Sequence, residues 1–408
     1  MTRTNKGNSS IAIIGSRGIP NRYGGFEKFA ETISTELAKK GNKVYVSCEY
    51  TEQRYSKYKG VSLFYFPIKP PEINLFRMLY EILYDGYSLL WASKNADYVF
   101  MLGYSAAFLF FIPKLFGKQL FVNPDGMEWK RTKFNSVIRF LLKLCERMAV
   151  FWADGLIVDS REIKKYLDSK YNINSIYIAY GASEIQKVGW DLEKLPECLK
   201  NVSINPSYYL VVARLEPENN IETIVEGYLK SKTEKPILIV GNFADHRYER
   251  KIVYNIFNLV FLFKNNINNA SKDKKIIFTG GIYDLELLNM LRQNCTAYIH
   301  GHSVGGTNPS LLEAMISKNS IIAHDNMFNR EVCDEFAVYF ENSDELKGSF
   351  DSEDLHQSNH LKFKLGAFKR VKKLYSWDKI VNRYHALITA ISTHKVYSKT
   401  IKLPENSK

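Results

Sequence analysis

Cysteine is scarce in this chain, with five in 408 residues: Cys48, Cys145, Cys198, Cys295 and Cys333. The number is odd and no two stand in a C-x-x-C pair, which excludes a disulfide framework and a structural zinc site and fits a reducing compartment. Long apolar runs are missing too. Runs such as Ala106–Ile112 and Leu259–Phe263 fall far short of the ~20 residues a membrane-crossing helix needs. The first ten residues are polar and lack the apolar centre of a secretory signal. The dinucleotide fingerprint G-x-G-x-x-G is absent, which weighs against an NAD enzyme. Of the two close histidine pairs, His300/His302 and His356/His360, the second has i,i+4 spacing but no Glu to complete H-E-x-x-H, so no metal site is expected. Acidic residues are in deficit, 43 against 56 basic, for a net charge of +13. Such a balance suits an anionic partner: nucleic acid, an acidic bilayer or a phosphorylated substrate. No nucleic-acid-binding motif accompanies it, so no nucleic acid partner is expected.

What is present is an ordinary globular composition, 45% hydrophobic and 24% charged. The length suits two domains of about 150–200 residues. Ile11–Ile14 is a continuous β-branched run, the mark of a strand buried on both faces. Phe26, Phe29, Ala30, Ile33 and Leu37 then recur at helical spacing up to Gly41, and Lys43–Cys48 reads as the next strand. Further strands are expected at Val61–Phe66, Tyr98–Leu102, Gln119–Val122 and Gly155–Val158, with helices over Ile73–Ala92, Ala106–Phe116 and Ser136–Phe151. A second alternation predicts strands at Tyr208–Ala213, Ile237–Val240, Ile276–Thr279, Ala297–His300, Ser320–Ala323 and Val338–Phe340. The fold class is therefore α/β, with two doubly wound Rossmann-like domains, 1–190 and 191–380, followed by a C-terminal helix and polar tail, 381–408. Ligands bind such sheets beyond their C-terminal strand ends, so a cleft between the domains is expected.

Three segments fall at such strand ends. Gly15 to Glu27 carries Arg17, Gly18, Arg22, Tyr23, Gly24 and Gly25 between a strand and a helix. Glycines let backbone N–H groups approach an anion, and the two arginines add charge; the same glycines also suit a tight turn. Asn123 to Arg131 carries Asp125, Glu128 and Trp129. Its carboxylates can bind acceptor hydroxyls or take a proton, while Pro124-Asp125-Gly126 is equally a turn sequence. Trp129 suits stacking on a sugar ring or plain packing. Gly301 to Met315 is the third. Thr307 or Asn308 can cap a helix opening on Pro309, with Ser310 in its first turn and Glu313 one turn in, placed to hold ribose hydroxyls. Arg214 ends the second block's first strand, with Glu216 and Glu218 as alternative ion-pair partners.

The run IAIIGSRGIPNRYGGFEKFAE and the segment Asn123–Arg131 resemble signatures of retaining glycosyltransferase family 4, in particular its bacterial rhamnosyltransferase-like group of capsule and exopolysaccharide assembly. The resemblance extends over nearly the whole chain and implies the GT-B architecture. It implies donor binding by Arg17, Gly18, Arg214, Gly281, Ile282, Thr307, Asn308, Ser310 and Glu313. Acceptor binding falls to Arg22, Tyr23, Gly24, Gly25 and Trp129, and catalysis to Asp125 and Glu128. Two departures stand out: the Lys that follows the Arg in the family is replaced by Asn219 or Asn220, and the first Glu of Glu-x7-Glu falls on Gly305. No D-x-D motif is present, so no metal or other cofactor is expected. The implied reaction moves a sugar, L-rhamnose from dTDP-L-rhamnose before others, to a lipid-linked oligosaccharide with retention; a UDP-hexose donor is the alternative. An NAD-dependent nucleotide-sugar epimerase or dehydrogenase is the rival class. Between Pro113 and Arg147 stand eight basic and three acidic residues, with Arg139, Lys143 and Arg147 on one helix face. That stripe suits the anionic inner face of the plasma membrane, and so a cytoplasmic, peripheral protein.

Overall fold

The computed structural model describes residues 9–21, 24–71, 76–124, 126–131, 134–200, 204–243, 246–266, 275–352 and 358–393. Of the expectations above, those on Arg22, Tyr23, 73–75, Asp125, Lys133, His356 and the tail beyond 393 lie outside the described residues. The chain divides into two compact units. The first gathers 1–130, 134–180 and 377–408, and the second 131–133 and 181–376.

The first unit is built on eight strands: β1 (Ser10–Ile14), β2 (Lys43–Cys48), β3 (Lys57–Tyr58), β4 (Val61–Tyr65), β5 (Tyr98–Leu102), β6 (Gln119–Asn123), β7 (Gly155–Val158) and β8 (Ile176–Tyr177). Their order is β3-β4-β2-β1-β5-β6-β7-β8, and only β3 runs antiparallel to its neighbour. Ile11, Ala12, Ile13 and Ile14 are all buried, as a strand covered on both faces requires. The helix Gly25–Lys39 turns Phe29, Ala30, Ile33 and Leu37 inward. The helix Trp377–Thr393 returns to this unit, setting Tyr384 edge-on to Phe29 at 5.5 Å.

The second unit holds β9 (Tyr209–Val212), β10 (Ile237–Val240), β11 (Ile276–Gly280), β12 (Ala297–His300), β13 (Ile321–His324) and β14 (Val338–Phe340), all parallel, in the order β11-β10-β9-β12-β13-β14. Tyr209, Val211, Ile237, Ile239, Ala297 and Ile299 join Ile224, Val225 and Tyr228 of the helix Ile221–Lys230 in one core.

In both sheets the chain winds outward one way from the first strand, then returns to continue on its other side. The strand order therefore reverses between β1 and β5 and between β9 and β12, and a doubly wound sheet opens a ligand crevice at that point. Three elements differ from the sequence expectation. The single helix expected over Ala106–Phe116 is a 3-10 turn, Ala107–Leu109, followed by a short helix, Ile112–Leu115. Pro113 lacks an N–H to bond back to the preceding turn, so it begins a helix rather than continuing one. The short strands β3 and β8 were also not anticipated; two residues are too few to show a period.

Candidate functional site

In the first unit the loop after β1 is closed on itself. The N–H of Arg17 donates to Glu27 Oε1 at 3.0 Å, and Glu27 is buried. The N–H of Asn21 donates to Glu31 Oε2 at 2.7 Å. Carboxylates from the helix Gly25–Lys39 thus already take two amides of the loop expected to receive an anion. Tyr84 Oη adds a bond to the Ser16 carbonyl at 2.6 Å. Gly18 is a close-approach position: at φ +113°, its missing Cβ would stand 2.6 Å from Cys48 Sγ. Gly24 caps the helix and Gly25 opens it. Arg17 Nε lies 4.0 Å from Glu49 Oε1, which Arg77 also grips at 2.5 Å. Burial raises the Glu49 carboxyl above its ordinary range, against the pull of both guanidiniums.

Beyond β6, Glu128 and Trp129 lie in the 3-10 turn Glu128–Lys130. Trp129 Nε1 donates to Glu146 Oε2 at 2.9 Å. Glu146 is buried and accepts three further bonds, from Tyr166, Lys170 and Tyr171, at 2.7 to 2.9 Å. Lys143 stands over the Trp129 ring at 4.5 Å. Trp129 is therefore anchored at its nitrogen and covered on a face by a cation, which favours packing over sugar stacking.

In the second unit the loops after β9 and β12 are tied together. Asn220 Nδ2 donates to the Gly301 carbonyl at 2.7 Å, and Ser303 donates its N–H and Oγ to the Glu218 carbonyl at 2.9 and 3.0 Å. Arg214 ends β9 with 55% of its side chain exposed and its guanidinium 3.8 Å from buried Glu216. Arg131, which belongs with this unit, lies 3.8 Å from the same carboxylate.

Asn219 Nδ2 donates to the Arg214 carbonyl at 2.6 Å, which turns its Oδ1 toward His302 Nδ1 at 3.0 Å. With the amide so assigned, Nδ1 carries the proton and Nε2 keeps its lone pair. Burial, and then the charges of Arg131 and Arg214, push the His302 imidazole down to about 4, so it is neutral at pH 7. Its Nε2 fills the space over Gly305: at φ +156°, a Cβ there would stand 2.6 Å from it. A glutamate at 305 would have to displace this ring. The two departures noted in the sequence, at Asn219 and Gly305, are thus parts of one arrangement around His302.

Asn308 caps the helix Pro309–Ile316, its Oδ1 accepting from Ser310 N at 3.0 Å and Ser310 Oγ at 2.9 Å. Pro309 has no N–H, and Leu312 N–H bonds the Asn308 carbonyl. This helix start therefore offers fewer open amides than an uncapped one, and recognition shifts toward side chains. Thr307 is buried beside it. Tyr298 Oη lies 3.1 Å from both Ser310 Oγ and the Val212 carbonyl, joining this turn to the end of β9. Glu313 is held at 2.5 Å by Arg292, which is 1% exposed, while a quarter of the Glu313 side chain still reaches solvent. At the end of β11, two strands from β9, Gly281 N–H donates to Asn242 Oδ1 at 2.7 Å, with Ile282 next to it.

The structure thus collects Arg214, Thr307, Asn308, Ser310 and Glu313 at the β9/β12 reversal, with Gly281 and Ile282 along the same edge. Arg17, Gly18, Gly24, Gly25, Glu128 and Trp129 belong to the corresponding edge of the first unit. Sequence reasoning missed Arg292, Asn219, His302 and Glu146 as partners. Of these only His302 carried a signal, its position two residues past a buried strand end. Among the described residues no group of three or more His, Cys, Asp or Glu is arranged to hold a metal ion.

Two parallel Rossmann-like sheets, each reversing beside its first strand, define an α/β protein of GT-B fold. Residues 8–183 match a family described as a domain of unknown function, DUF1972. No curated protein matches the chain. Similar solved structures include sucrose-phosphate synthase from Thermosynechococcus elongatus, at 15% identity and a TM-score of 0.74, covering 95% of this chain and 100% of that one. Anabaena HepE in complex with UDP-glucose is similar at 12% identity and 0.68, covering 94% and 100%. A glycosyltransferase from Rickettsia africae is similar at 14% identity and 0.63, covering 95% and 99%.

Proposed function

We propose that this chain is a glycosyltransferase that takes its sugar from a nucleotide donor held by the second unit. The observation that carries this reading is the β9/β12 reversal itself, where Arg214 stands half-exposed beside neutral His302 and Glu313 is locked in place by Arg292. A guanidinium suits a diphosphate, and a fixed carboxylate suits a ribose diol. HepE, of the same fold, is described in complex with UDP-glucose, which supports a nucleotide sugar as the ligand class.

In this reading Arg214 neutralises the departing diphosphate without a metal ion, as electrostatic stabilisation of developing charge. The bond from the anomeric carbon to the diphosphate oxygen breaks as a bond to the acceptor hydroxyl forms on the same face. The hydroxyl proton passes to the leaving phosphate oxygen, so configuration is retained. Glu128, with Asp125 beside it in sequence, serves acceptor binding in the first unit. The donor is dTDP-L-rhamnose and the acceptor a lipid-linked oligosaccharide of bacterial surface polysaccharide synthesis, met at an anionic membrane surface. A UDP-hexose donor is the second reading, favoured by the UDP-glucose bound to HepE. A donor panel with lipid-linked acceptors, read by mass spectrometry, tests both. Transfer of rhamnose from dTDP-L-rhamnose is expected. Transfer from UDP-glucose alone replaces the donor, and NAD-dependent turnover without an acceptor overturns the class.

A further inference from the structure

The helix Ser136–Trp152 has the pattern of a core helix, yet its outward side is apolar. Leu142, Glu146 and Ala149 face inward. On the far side Val137, Phe140, Leu141, Leu144 and Phe151 recur at helical spacing and are 65, 65, 52, 38 and 73% exposed. The stripe runs ~21 Å along the axis at 1.5 Å per residue. A soluble surface helix carries charge on that side.

The stripe is not isolated. The chain's right-handed crossovers place the helix Arg77–Asn95, the short helix Ile112–Leu115 and Ser136–Trp152 on one face of the first sheet, opposite Gly25–Lys39. They adjoin: Leu109, just before the short helix, packs against Gly86, and Phe111 lies 6.2 Å from Trp152. Leu79, Leu83, Phe108 and Leu115 carry the exposed apolar surface across these elements.

Charge decides the occupant. Arg139, Lys143 and Arg147 form an i,i+4 row along one flank of the stripe, and Lys143 and Arg147 are exposed. The one acid on the helix, Glu146, is buried and points the other way. An apolar stripe edged by cations and free of exposed anions complements a leaflet of anionic headgroups over acyl chains. A second copy of this chain, docked antiparallel on the same stripe by a two-fold axis across the helix, would set the two cationic rows near each other instead.

We propose that this face inserts into the headgroup–acyl boundary of an anionic bilayer, with the apolar stripe of Ser136–Trp152 as its deepest element. The inference specifies the membrane partner of the reading above, and rests on that reading only for the identity of the partner. Attachment is then hydrophobic as well as electrostatic, so it survives salt that screens the basic row.

The test is flotation of the full chain with phosphatidylglycerol-containing vesicles at low and high salt, alongside phosphatidylcholine vesicles. The proposal expects co-flotation with anionic vesicles, a residue of binding in high salt, and a fall of ~10-fold or more in Phe140→Glu/Leu144→Glu. Arg147→Glu is expected to weaken binding only at low salt. All these positions are exposed, and a circular dichroism spectrum and thermal transition matching wild type report that each variant has folded. Wild type that does not float, or a double variant that floats equally well, overturns the proposal. So does a dimer in sedimentation that the double variant dissolves while vesicles stay unbound. Wild type that binds nucleotide but does not float rejects the membrane face alone; wild type that floats but binds no nucleotide rejects the glycosyltransferase reading alone.

Discussion

The two sheets share a topology and differ in what stands at their reversal points. At β1/β5 two loop amides, those of Arg17 and Asn21, are already taken by Glu27 and Glu31, and Arg17 faces Glu49. At β9/β12 the loops bond to each other through Asn220, Ser303 and Asn219, and Arg214 is more than half-exposed beside the buried carboxylate of Glu216, which Arg131 also approaches. The same winding therefore carries carboxylate-bonded loop amides in one unit and a half-exposed guanidinium in the other. Topology says where a ligand can bind; the carboxylates already in place say whether an anion will.

Breaking each side of this contrast should have unlike effects. The largest is expected from Arg292→Leu, which strips Glu313 of its buried partner and should cost about 3–5 kcal/mol of stability in chemical denaturation. Next, Glu27→Ala leaves the Arg17 amide without its acceptor and should cost about 1–3 kcal/mol, with nucleotide affinity unchanged. Arg214→Ala should do the reverse. Its exposed side chain contributes within about 0.5 kcal/mol to stability, yet its loss should weaken nucleoside diphosphate binding ~10-fold, about 1.4 kcal/mol.

A separate effect is on pH dependence. The His302 imidazole titrates near 6.5 in the unfolded chain and is pushed down to about 4 in the folded one. The unfolded state then binds more protons between these values, so stability is full above about 6.5 and falls as pH drops toward about 4. In urea titrations across that window, His302→Asn should show a shallower slope than wild type. An unchanged slope would remove His302 from this account.

Much of the fold was legible because buried parallel strands announce themselves. Ile11–Ile14, Ile237–Val240 and Ala297–His300 are short apolar runs after which glycine or a turn follows, and each is a strand within one residue of its expected limits. The return of Trp377–Thr393 to the first unit is a long-range packing choice, set by the Phe29 and Tyr384 rings meeting, and no local pattern states it. The same division holds at the site. Asn308 as a cap and Glu313 one turn in follow from residue type and spacing. The Arg292–Glu313 pair, separated by a strand and two turns, and the Asn219–His302 bridge, between loops of adjacent strands, exist only once the sheet is formed. On Ser136–Trp152 the basic row, with apolar residues on the other faces, was legible, but which apolar face meets the core is decided by the sheet beneath.

The central claim is that the loops after β9 and β12 hold a nucleoside diphosphate through Arg214. Calorimetric titration of UDP and dTDP into wild type and Arg214→Ala tests it most directly. The account predicts one equivalent bound by wild type and ~10-fold weaker binding by the variant at an unchanged melting temperature. Equal affinity in the two proteins, or no binding by either, would contradict it.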